Sequence, residues 1–172
     1  MTGTQNSTDT STGTNDGVIL VVDPDDIINA MRRNVRDAHT RRTHKLRFNR
    51  PLEGRVTAST HVHQEGTYWP NPETAPLTLA PEQFIEDDAA EETAHPERWQ
   101  VCEAAKDVDG VDDVADVSDE ALDECWDVHL AYWESAVRHH LKTEVDINEY
   151  RHGPGIEPHI VTVEYDGKGN SQ

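Results

Sequence analysis

At 172 residues, with a formal charge of −19, 34% hydrophobic and 6% aromatic residues, the chain has the material for one lean core. No apolar run approaches the roughly 18 residues that cross a bilayer, which excludes a transmembrane helix. Cys102 and Cys125 lack a CxxC spacing and no basic-plus-apolar leader precedes them, so the expected setting is reduced and cytoplasmic, with no membrane partner.

Residues 1–16 are almost wholly polar and read as a disordered tail, residues 17–166 as a single domain, and residues 167–172 as a polar C-terminal tail. Val18 to Val22 form an apolar run, the mark of a buried strand. Asp23, Pro24 and the acids behind them then supply an N-cap, an N1 proline and a charged first turn for a helix. On that helix Ile27, Ile28, Met31, Val35 and Ala38 share an apolar arc, and Arg32, Arg33 and Arg36 project from the other side.

Leu46 and Phe48 alternate on one segment and Val56, Ala58, Thr60 and Val62 on the next, which predicts a hairpin turning around Pro51 and Gly54. His61 and His63 then point together, away from that apolar face. Leu77 and Leu79 predict a short edge strand among prolines, and residues 81–93 a short helix leading to an acidic loop. A helix follows Pro96, with Trp99, Cys102 and Ala105 on one side and Gly110 at its end. The longest helix is expected from a Ser118 cap to about Val145, with Leu122, Trp126, Leu130, Trp133, Val137 and Leu141 as its stripe. Val161, Val163 and Tyr165 alternate in a last strand. The fold class is therefore α+β, a small antiparallel sheet of four to five short strands packed by two main amphipathic helices.

Several constellations invite chemistry. Cys102, Cys125, His95 and His129 outline a Cys2His2 set, but structural zinc sites bring ligands in close pairs and here only Cys125 and His129 form one, so core packing is the better account. Residues 107–113, DVDGVDD, fit a calcium loop poorly, because aligning Gly110 with the turn glycine leaves Ala105 in the first ligand position. No phosphate loop, dinucleotide fingerprint or nucleophile elbow is present, so enzymatic readings start low and no catalytic residue is assigned.

Charge segregation is the stronger signal. Residues 32–55 hold nine bases against two acids, a balance of +7, whereas residues 82–149 hold four bases against 22 acids, a balance of −18. Arg32, Arg33, Arg36, Lys45, Arg47 and Arg55 are the expected binding face, with a protein partner or self-association favoured and nucleic acid second. No cofactor is expected beyond a divalent metal at His61 and His63, the alternative site.

The segment His61-Val62-His63 resembles the His-hydrophobic-His motif of the HUH single-strand endonucleases. That resemblance implies a divalent metal held by both histidines and a helical tyrosine, here Tyr132, as nucleophile. It makes a metal-dependent nuclease or phosphoester hydrolase the alternative to a non-enzymatic binding or assembly module. The acidic, lysine-poor composition, with DPDDIINAMRRNVRD, PLEGRVTASTHVH and YWP, resembles small uncharacterised proteins of halophilic archaea and their viruses or mobile elements. The resemblance implies no activity, and it adds a virion or mobile-element structural role as a third alternative.

Overall fold

The structure, a computed structural model, describes residues 14–66, 74–148 and 157–167. Tyr68 and Trp69, of the YWP segment, lie outside them. The chain forms β1 (Thr14–Val22), α1 (Pro24–Arg36), β2 (Arg42–Phe48), β3 (Arg55–Thr57), β4 (Ser59–Gln64) and β5 (Leu77–Leu79). These are followed by α2 (Arg98–Asp109), α3 (Asp119–His139), β6 (Glu144–Asp146) and β7 (Ile160–Tyr165). Short 3₁₀ turns cover Pro81–Phe84, Asp87–Ala89 and Val114–Asp116.

The fold is α+β, but its strands form two sheets and the pairing is mixed. One sheet has the order β3-β1-β7-β6, with β1 parallel to both neighbours and β6 antiparallel to β7; the other is antiparallel, β4-β2-β5. The expected antiparallel pairing around Pro51 and Gly54 forms between β2 and β4, with Leu46 opposite Thr60, but not through a tight turn. The turn instead carries the chain to the first sheet, where Ile19 N–H donates to the Gly54 carbonyl at 2.8 Å and β3 runs parallel to β1. β4 then continues from β3 after one residue and closes on β2, so residues 55–64 stitch the two sheets together. Alternation of apolar residues sets which face a strand buries, not which neighbour it pairs with.

β1 begins inside the segment assigned to the tail, with Thr14 opposite Ile160, and its register shifts before Ile19. Gly17 takes φ +80° within that shift, a left-handed conformation that a side chain resists. Asp23 caps α1 as expected, its carboxylate accepting from Asp25 N–H at 2.9 Å. Ile27, Ile28 and Met31 of α1 pack with Leu20, Val22, Leu46, Phe48, Phe84, Trp133, Val137 and Val161 in the main core.

Two expectations about helices need correction. Trp99 is 63% exposed, because it lies about 120° round α2 from Ala105, while Val101 and Ala105 meet Ala121 and Cys125 of α3 in a second, smaller core. α3 stops at His139, where His140 caps it, and Val145 belongs to β6. The one stripe of α3 serves both cores: Trp133 and Val137 enter the first, Cys125 and Trp126 the second. Two of the acids of residues 107–116 act as local caps, Asp109 accepting from Ser118 N–H and Asp113 from Ala115 N–H, and Gly110 ends α2 in the left-handed region.

The C-terminal end of α3 clamps residues 84–92. Ile85 bridges Leu141, Lys142 N–H donates to the Phe84 carbonyl at 2.7 Å, and Lys142 pairs with Asp87. His140 spans Glu86 at 3.2 Å and Glu92 at 2.6 Å; the hydrogen bond to Glu86, seconded by Glu92, raises its pKa against the cost of burial. A raised folded-state pKa contributes stability that is complete below the unfolded value of about 6.5 and is lost as pH rises through the folded value. His140→Gln is therefore expected to destabilise the protein more at pH 5.5 than at pH 8.5. Urea titrations of both proteins at the two values check this, and a pH-independent difference refutes it.

Candidate functional site

The antiparallel register decides which basic residues stand together. Lys45 lies opposite His61, Thr43 opposite His63 and Arg47 opposite Ser59 and Thr78, so Lys45, Arg47, His61 and His63 share one face of the β4-β2-β5 sheet. His44, Leu46 and Phe48 take the other face and are buried. Thr43, Ser59 and Thr78 add hydroxyls to the basic face. No sequence signal marked these three, because cross-strand neighbours follow from register alone.

Burial on this hairpin departs from the alternation of its sequence. Val62 is 47% exposed and Thr60 is exposed, whereas His61 and His63 are half-buried. Among the described residues β4 pairs only with β2, at the edge of the sheet, and α1 packs chiefly over β2. The apolar side of β4 therefore overhangs the core.

Electrostatically the face is cationic. Burial, first, and then Arg47, His63 and Lys45 all hold the His61 pKa below its ordinary value. Neutral imidazoles suit a metal, but the adjoining ammonium and guanidinium repel a divalent cation and favour an anion. Among the described residues no group of three or more His, Cys, Asp or Glu converges on a metal position. Tyr132 is 76% exposed on α3, which packs chiefly against α2 and α1.

The other expected binding residues lie elsewhere. Arg32 pairs with Glu134 of α3 and stands 5.9 Å over the Trp133 ring; Arg36 pairs with Asp37 at 3.1 Å; Arg55 pairs with Glu164, the two flanking β1. Asp37, hydrogen-bonded first to Arg36 and then to His44, is held down to about 2. Arg33 alone of the α1 arginines projects without an ion pair among the described residues. Because α1 covers the Leu46 side of the sheet, its arginines and the Lys45 face look in different directions.

The candidate Cys2His2 residues disperse. His95 stacks edge-on against Trp133 with centroids 4.7 Å apart, His129 Nδ1–H donates to the Cys125 carbonyl at 2.8 Å, and both cysteines are buried thiols. Among the described residues no helix is long and apolar enough to cross a membrane. No curated protein and no solved structure matches the chain. A family model described as a domain of unknown function, DUF8009, matches residues 7–167, and the chain belongs to that family.

Proposed function

We propose that the protein is a non-enzymatic binding module whose β2–β4 face takes a carboxylate-rich protein surface. The supporting observation is the register that gathers Lys45, Arg47, His61 and His63 on one face of an otherwise acidic chain. With Arg32, Arg36 and Arg55 engaged by the chain's own carboxylates, the patch is too small to track a nucleic-acid backbone, and a net charge of −19 opposes a polyanion at long range. A carboxylate-rich loop makes short-range contacts instead, and the acidic half of a second copy supplies one.

The cationic field around His61 weighs against the metal-dependent nuclease, and a virion or mobile-element role remains compatible with a module that assembles. The acid-rich, lysine-poor composition supports work at molar salt in a halophilic archaeal setting, where a screening length of about 3 Å leaves only contact pairs effective. A reduced cytoplasmic location fits the two free thiols.

Sedimentation velocity over a concentration series in molar KCl tests the reading. The wild type is expected to form a heavier species that Lys45→Gln with Arg47→Gln weakens about tenfold or more, while circular dichroism shows both folded. A wild type that stays monomeric throughout, or a double variant that associates equally well, defeats it.

A further inference from the structure

The apolar arc of α1 continues past the core. Met31, Val35 and Ala38 form one wall of an open groove of about 670 Å³, and Ile85, Ala90 and Ala94 face them from residues 82–95. Val35 is 49% exposed there, although its helix buries Ile27 and Ile28 completely or nearly so. The volume lies in the range of ligand-binding clefts.

The polar lining has a single sense. Glu82, Glu86 and Asp87 put carboxylates on the rim; Glu86 is tied to His140 and Asp87 to Lys142, and Glu82 has no ion pair among the described residues. Each of the three lining side chains able to donate gives a hydrogen bond to a backbone carbonyl. Asn34 donates to the His44 carbonyl, Thr93 to that of Ala89, and His95 Nδ1 to that of Pro96, which leaves Nε2 as an acceptor. Apolar walls bordered by acceptors and negative charge complement a ligand that is apolar on one side and a cationic donor on the other. Nucleic acids and acidic peptides are repelled, and this surface is opposite in sign to the β2–β4 face.

We propose that the groove docks a basic amphipathic segment of a protein partner, an aliphatic side chain seated between Val35 and Ile85 and a lysine or arginine reaching Glu82. The open shape suits a helix laid along α1.

A short fluorescein-labelled Leu/Lys peptide of helical spacing, followed by anisotropy in moderate salt, tests this against a peptide with Gln in place of every Leu. The expected result is that the Leu/Lys peptide binds and the Gln/Lys peptide does not. Val35→Glu should weaken binding about tenfold or more even though it adds negative charge, and Glu82→Lys should weaken it as well. Val35 is exposed, so its variant folds. Absence of wild-type binding, equal binding of the two peptides, or a Val35→Glu protein that binds as well as or better than wild type overturns the proposal. The last two outcomes reveal mere attraction of a cation to an acidic chain.

Discussion

Trp133→Ala is expected to lower the unfolding free energy by about 3–5 kcal/mol. Trp133 is buried in the main core, so its truncation removes a large apolar side chain and leaves a cavity between α3 and its neighbours. The indole also makes three contacts with two separate segments, residues 93–95 and α1. Its N–H donates to the buried Thr93 carbonyl at 3.0 Å, its ring meets His95 edge-on, and its face lies under the Arg32 guanidinium. Trp133→Phe keeps most of the volume and orphans only the Thr93 carbonyl, a loss of about 1–3 kcal/mol. Trp99→Ala, on an exposed indole, should stay within about 0.5 kcal/mol of wild type. Urea titration of the three variants reads this ranking, and equal losses at Trp133 and Trp99 contradict it.

Asn34→Ala is expected to cost about 2–3 kcal/mol through the backbone of β2. β5 pairs with β2 over Leu46 to Phe48, so nearer its start that edge of β2 has no strand beside it among the described residues. The Asn34 amide takes the place of one. Its Oδ1 accepts from His44 N–H at 2.6 Å and its Nδ2 donates to the His44 carbonyl at 3.0 Å, which fastens α1 to the sheet. Alanine leaves both backbone groups without a partner in a part-buried position. Asn34→Asp keeps an acceptor for the N–H but sets a carboxylate oxygen against the carbonyl, so it should not rescue. Hydrogen exchange at the His44 amide gives a local reading. Protection in wild type must fall in both variants, and unchanged protection rules the account out.

The same pairing shows how much of the site was legible beforehand. The parity of a strand follows from sequence, and His61 with His63 on one side of β4 needed nothing more. That Lys45 and Arg47 join them is a matter of register between segments separated by a turn that leads into another sheet. Charge counting found the basic segment correctly but not its division. From the sequence alone nothing said that Arg32, Arg36 and Arg55 sit beside Glu134, Asp37 and Glu164, or that Lys45 and Arg47 share a strand face with the histidines. The groove left only one trace, the extension of the α1 apolar arc to Val35 and Ala38, and in a sequence such an extension looks like core.

What the sequence determined by itself is local. The Asp23 cap and its helix, the buried run of β1, the Ser118 cap and stripe of α3 and the alternation of β7 all arise from interactions within a few residues, where periodicity and capping chemistry act directly. What only the tertiary structure decided is every matter of partnership: two sheets instead of one, β3 parallel to β1, the end of α3 before β6, Trp99 outside and Trp133 inside. Backbone hydrogen bonds are identical for all residues and carry no address. Pairing is chosen by the packing of the whole core, and the β2–β4 face and the groove beside α1 that result from it are where function is to be sought.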